Sequence, residues 1–206
     1  MGVAERKARE KRKLKQQILD AARQLFVRDG YESVSMRKIA NKIEYSPATI
    51  YTYFKDKDEI LDCLCEETFL HLHKHKLATV HQMENDTLES LKKKMETYIR
   101  FGLEHPDHYI VTFMLKAAPY EKPECGETRK ARAGFQCFND MRSMVRRCME
   151  EGRIKSADPE ETSQALWAGT HGVTALLITL PGFPFVERER LIARTIEILV
   201  RGVGLD

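Results

Sequence analysis

The 206-residue sequence predicts an all-α protein of about nine helices in two parts. Two observations carry that reading. Apolar residues recur at three- and four-residue spacing along most of the chain, as one buried helical face requires. Nowhere do apolar and polar residues alternate as in a half-buried strand, and no Asn-Gly or Asp-Gly pair sits between alternating runs as a hairpin.

The elements follow in order. Leu14, Ile18, Ala21, Ala22, Leu25 and Phe26 share a face of the first helix, and Gly30 stops it as a left-handed cap. Ser35 caps a short second helix holding Ile39 and Ala40, and Ser46 caps a third with Pro47 at its first position, where a missing N–H costs nothing. Asp56 and Glu59 have capping-box spacing for a fourth helix running toward Gln82. Leu88, Leu91, Met95, Tyr98 and Ile99 form the next stripe, broken at His105-Pro106. A short segment, 107–116, precedes a loop over 117–126 with Pro119, Pro123 and Gly126. Phe138, Met141, Val145 and Cys148 mark a long helix ending at Gly152. Asp158, Pro159 and Glu161 open another, which ends at Pro181-Gly182-Phe183-Pro184. The last helix carries Leu191, Ile192, Thr195, Ile196, Leu199 and Val200.

With 42% hydrophobic and 32% charged residues, the chain can bury a core, which excludes an intrinsically disordered protein. No stretch reaches the ~20 apolar residues that span a bilayer, and the basic N-terminus lacks the apolar centre of a signal peptide. Five cysteines without framework spacing fit a reducing compartment, so a cytoplasmic protein without membrane association is expected. The net charge of +3 is unevenly spread. Residues 1–57 hold 14 Lys/Arg against 7 Asp/Glu, and the remainder 20 against 24. A basic head on an acidic body points the head toward a polyanion.

The head also has the right geometry. Three short helices fill 14–54, and the last two meet in a tight turn at Ile43–Tyr45. That is the layout of a helix-turn-helix, whose second helix enters the major groove of double-stranded DNA. Here it is Pro47-Ala48-Thr49-Ile50-Tyr51-Thr52-Tyr53-Phe54. Ile50 and Phe54, four apart, face the core, which leaves Thr49, Tyr51, Thr52 and Tyr53 to face DNA.

The run from Ile18-Leu19-Asp20-Ala21-Ala22 through Phe26, Gly30-Tyr31, Ser35-Met36-Arg37-Lys38-Ile39-Ala40, Ser46 to Phe54 and Lys57-Asp58-Glu59-Ile60-Leu61 resembles the DNA-binding domain of the TetR family of transcriptional regulators. The charge run marks a basic extension over 1–13, and the resemblance implies a DNA-binding domain over 14–62 and a helical ligand-binding and dimerisation domain over 63–206. It also implies a homodimer on a palindromic operator, repression relieved by a small-molecule effector, and no cofactor. By the same resemblance, Pro47, Ala48 and Thr49 approach the bases, Tyr51 and Tyr53 touch the DNA backbone, and Lys57 contacts a phosphate. Ser35 sits where helix amides point at a phosphate. Arg37, Ser46 and Thr52 complete the DNA-facing candidates. Trp167-Ala168-Gly169-Thr170-His171-Gly172 resembles a Trp-x-x-x-His-Gly signature of one subgroup.

Two features depart from the family pattern. Glu44 stands in the turn where Gly is usual; if φ there is positive, a non-Gly residue costs about 1 kcal/mol. The recognition helix also lacks basic residues at Pro47 and Thr52, so methyl and hydroxyl contacts from Ala48, Thr49 or Thr52 replace Arg or Lys readout of guanine. Arg6, Lys7, Arg9, Lys11, Arg12, Lys13 and Lys15 form either a solvated, mobile tail or an arm along phosphates.

In the body, Phe101, His105, Phe113, Phe138, Trp167, Thr170 and His171 are the expected effector contacts, with Tyr98 and Tyr109 among the aromatics beside them. For Trp167 and His171, one turn apart, packing in a core is the alternative reading. The helices at about 159–180 and 187–202 are expected to pair with their symmetry mates through Leu176, Leu180, Ile192, Ile196 and Leu199. His71, His73 and His75 lack the short-loop spacing of a zinc site, so solvated histidines are expected and no metal. Cys137 and Cys148 are expected to pack in a core rather than sense redox state. No nucleophile elbow, phosphate-binding glycine loop or paired-acid motif marks an enzyme. The alternatives are a dimeric DNA-binding protein governed by a partner or redox state instead of an effector, and a helical adaptor that binds only protein.

Overall fold

A computed structural model describes residues 2–80, 86–115 and 129–205. Among these there are nine α-helices and no strand: α1 (Val3–Asp29), α2 (Met36–Lys42), α3 (Pro47–Tyr51), α4 (Lys57–Val80), α5 (Thr87–Glu104), α6 (Pro106–Tyr109), α7 (Arg129–Glu150), α8 (Pro159–Thr179) and α9 (Arg188–Gly202). A π-helical turn, Ile110–Met114, follows α6. The expected end of the fourth helix at Gln82 and the loop over 117–126 lie outside the described residues.

The caps explain most boundaries. Ser35 accepts the Lys38 amide, Ser46 the Thr49 amide, and Asp158 the Glu160 and Glu161 amides. At α4 the Asp56 carboxylate accepts the Glu59 amide, while the Glu59 carboxylate returns to the amide of Lys55, one residue earlier than a capping box requires. Gly30 ends α1 at φ 78° and ψ 152°, an extended conformation with positive φ rather than the left-handed cap expected, and one open essentially only to glycine. At its other end α1 begins at Val3, so the basic extension continues the first helix instead of preceding it.

The chain divides into two compact units: Met1–Thr68 with Asp107–Arg132, and Phe69–Pro106 with Ala133–Asp206. In the first, Ile18, Ala22, Phe26, Ile39, Ile50, Phe54 and Ile60 are buried. Each apolar side chain of this size stabilises the fold by about 1.5–3 kcal/mol when buried. Polar contacts add to it: Arg23 bridges Asp20 at 3.0 Å and Glu67 at 2.5 Å, tying α1 to the α4 residues of the same unit.

In the second unit α5, α8 and α9 pack on one another, with Leu91, Met95, Val145, Cys148, Leu166, Val173 and Val200 in the core. Ile192 and Ile196 belong to that core, at 2% and 7% exposure. This corrects the expectation that both meet a second copy. Two neighbouring apolar rows run along α9, and the row with Ile192, Ile196 and Val200 is the one turned inward. Leu199 is half-buried over Gly169, where an added Cβ would come within 2.5 Å of Leu199 Cδ2. Leu176 and Leu180 are 46% and 45% exposed.

Candidate nucleic-acid interface

The interface is built on the turn between α2 and α3. At the end of α2 the Tyr45 amide donates to the Ala40 carbonyl at 3.0 Å, and the Glu44 amide to the Asn41 carbonyl at 3.3 Å. These are the paired bonds of a Schellman motif, whose first residue beyond the cap adopts positive φ. Glu44 does so at φ 60°, the one described non-Gly residue with positive φ. Ile43–Tyr45 is thus a fixed turn that holds α3 at a set angle to α2.

Ser46 then starts α3. Its Oγ accepts the Thr49 amide at 3.1 Å and lies 2.9 Å from the Thr49 hydroxyl, while the Thr52 hydroxyl donates to the Thr49 carbonyl at 2.7 Å. Ile50 and Phe54 are buried, as their spacing predicts. Ala48, Tyr51 and Thr52 are exposed, and Pro47, Thr49 and Tyr53 half-buried. Ser35, Arg37 and Ser46 are exposed as well. The outer face of α3 therefore presents small, hydroxyl and aromatic groups and no guanidinium or ammonium. Tyr45, 44% exposed beside the Schellman turn, also belongs to this surface. Sequence reasoning passed over it, since its exposure follows from the turn.

Lys57, expected at a phosphate, is turned toward the protein. Its ammonium donates to the Tyr31 carbonyl at 3.0 Å and the Val34 carbonyl at 3.4 Å, and lies 4.1 Å from the Tyr31 ring centre. The Tyr31 hydroxyl donates to the Asp58 carboxylate. Burial, then the bond to Asp58, raises the Tyr31 phenol above its ordinary pKa. The Tyr31–Val34 segment is thereby fastened to the start of α4.

In the second unit the sequence-predicted effector residues divide. Phe138, Trp167 and His171 come together around Tyr98: the Phe138 and Trp167 ring centres are 6.3 Å apart, and those of Trp167 and His171 6.0 Å. The Trp167 N–H donates to the Tyr98 oxygen at 3.3 Å, and that oxygen lies 3.2 Å from His171 Nδ1. Trp can only donate, so the hydroxyl accepts from it. Burial lowers the His171 pKa, so the ring is neutral near pH 7. Phe101 is buried, with His105 5.1 Å away. Thr170 is 2% exposed and its hydroxyl donates to the Leu166 carbonyl one turn back. Phe113 lies in the first unit, 5.0 Å from Tyr109.

Cys137 and Cys148 are buried, the former donating to the Phe69 carbonyl at 3.6 Å. His73 pairs with Asp140 at 3.3 Å. Among the described residues no group of three or more His, Cys, Asp or Glu is placed to hold a metal ion, and no helix is long and apolar enough to cross a membrane.

A capped helix on a fixed turn, its inner face buried and its outer face open, defines the helix-turn-helix class of DNA-binding regulators. The chain belongs to the TetR family. Residues 18–64 match the bacterial regulatory proteins of the tetR family, and residues 91–199 the tetracyclin repressor-like C-terminal domain. The fatty acid metabolism regulator protein of Bacillus subtilis (strain 168) is 33% identical over 107 residues, 50% of this chain and 51% of that protein. The nicotine-responsive repressor HdnoR of Paenarthrobacter nicotinovorans is 40% identical over 53 residues, 26% of this chain and 27% of that protein. The chain thus spans about half of the length of one of these curated relatives and about a quarter of the other. A TetR family transcription regulator from Marinobacter aquaeolei VT8 has the same fold, with a TM-score of 0.77 over 97% of this chain and 100% of that one at 18% identity.

Proposed function

We propose that this chain is a transcriptional repressor that binds a palindromic DNA site as a two-fold dimer, in the cytoplasm, and leaves it when a small, mostly apolar effector binds. The observation that carries the reading is α3, which buries Ile50 and leaves Ala48, Tyr51 and Thr52 outward on a capped, fixed turn. With no basic side chain on that face, base preference comes from methyl and hydroxyl contacts of Ala48, Thr49 and Thr52. Tyr51, Tyr53, Arg37 and the amides that follow Ser35 hold the backbone. Leu176, Leu180 and the outer part of Leu199 form the proposed contact with the second copy. A closed dimer presents two recognition helices to symmetric half-sites.

The effector contacts we propose are Phe138, Trp167 and His171 around Tyr98. Neutral His171 suits a ligand with one hydrogen-bonding group on an apolar body. The relatives' names, fatty acid metabolism regulator and nicotine-responsive repressor, support such a ligand and make fatty acids the first compounds to screen. α4 is one unbroken helix from Lys57 to Val80 and supplies the mechanical link. A ligand shifts DNA affinity only through its different affinity for the two states, with typical coupling of about 1–3 kcal/mol, roughly 5- to 150-fold.

The experiment selects bound sequences from a random DNA pool with purified protein, then titrates thermal-shift hits into the complex. A palindromic consensus released by a hit supports the reading. Retention with no preferred sequence overturns it, and a tight ligand that leaves DNA affinity unchanged overturns the effector part.

A further inference from the structure

We infer that the opening turns of α1 are a second DNA-contacting element, which grips phosphates flanking the site under α3; this rests on the reading of the chain as a DNA-binding regulator. Residues 4–13 are exposed throughout, yet they are helical. Local chemistry accounts for the helix. The stretch is Ala, Glu, Arg and Lys, the strong helix formers, and it extends a helix already nucleated by the packed turns from Ile18, so no new nucleus has to form.

The same chemistry is unfavourable in water. Six cations, Arg6, Lys7, Arg9, Lys11, Arg12 and Lys13, stand against Glu5 and Glu10, and Glu10 is matched to Arg6 at 3.6 Å. Lys7 and Lys11 are like charges one turn apart, a destabilising arrangement. A row of phosphates removes that repulsion and loses its condensed counterions in doing so.

Position points to the same occupant. The Lys15 ammonium lies 5.4 Å from the centre of the Phe54 ring, which closes the recognition segment, so the extension springs from beside α3. Its cations lie on all sides of the helix, with Val3, Ala4 and Ala8 the only apolar residues from 3 to 13. A membrane-surface helix needs an apolar stripe, and this one has none. A helix in place of a loose arm also holds its cations at fixed spacing without further ordering cost.

The test uses the full chain with Lys7, Lys11, Arg12 and Lys13 changed together to Gln, and measures its dissociation constant on the selected site across a salt series. The slope of log affinity against log salt should become shallower by at least about 2 per dimer, one phosphate contact per chain at roughly 0.9 each. The hydroxyl-radical footprint should shorten at both edges and the base-preference profile should stay the same. Changing Lys7, Lys11 and Lys13 to Arg should restore slope and footprint. An unchanged slope and footprint, or an altered base profile, overturns the inference. So does a variant that loses retention on phosphatidylserine vesicles while its DNA slope is unchanged. A parent protein with no salt-dependent, sequence-selective binding overturns the regulator reading as well.

Discussion

The Lys57 ammonium lies 4.1 Å from the centre of the Tyr31 ring and donates to the carbonyl of the same residue at 3.0 Å. The cation at the start of α4 therefore holds the Tyr31–Val34 segment, and with it the Ser35 cap of α2. Lys57→Ala should lower the melting temperature of the DNA-free protein, since a cation–π contact and hydrogen bonds to a charged group contribute about 1–3 kcal/mol together. It should weaken binding to all sequences by a similar factor. Unchanged stability, read by denaturant titration, would return Lys57 to the role of a phosphate contact alone.

Glu44 occupies a position with φ 60° that the Schellman motif demands. Glu44→Gly should stabilise the head by about 0.5–1 kcal/mol, the left-handed cost removed less the extra backbone entropy of glycine. Urea denaturation measures it, and a loss of stability would contradict the strain.

The buried Ile192 and Ile196 and the exposed Leu176 separate folding from assembly. Ile196→Glu should destabilise the fold by several kcal/mol, because it buries an unpaired charge. Leu176→Glu should leave the fold intact and shift the protein toward monomer in a sedimentation run. A stable Leu176→Glu dimer would move the interface elsewhere.

His171 gives a pH dependence with a definite sign. Its folded pKa lies below the ordinary 6.5 because burial disfavours the imidazolium. Below about that value the unfolded chain binds the proton more readily, so the stabilising contribution is present above pH 6.5 and is lost as pH falls from there through the lower folded pKa. Between pH 7.5 and 5, His171→Gln should lose less melting temperature than the parent. Equal losses would show that His171 is not held neutral.

Much of this was legible from residues because the signals are local. Ser35, Ser46 and Asp158 cap where they were expected, since a cap needs only its own first turn. Ile50 and Phe54 turn inward because one apolar face leaves no choice. α9 is different: its two adjacent apolar rows are equivalent in sequence, and only packing against α5 and α8 selects Ile192 and Ile196. The start of α1 was illegible because a solvated charged run has no apolar period. The π-turn, closed by the bond from the Leu115 amide to the Ile110 carbonyl at 3.0 Å, has no sequence signal either. The outer face of α3 was readable as a face, but the inward turn of Lys57 depends on three-dimensional neighbours.

Base reading by α3 predicts a binding-site profile that changes with its outward side chains. Thr49→Ala keeps the backbone cap, because the Thr49 amide still reaches Ser46 Oγ, and removes one hydroxyl and one methyl from the face that meets the bases. Sequences selected from a random pool by the parent should form a palindrome, and those selected by Thr49→Ala should differ at the same position in both half-sites, at about 1–3 kcal/mol per altered base pair. Identical profiles from the two proteins, or no profile from the parent, would contradict the account.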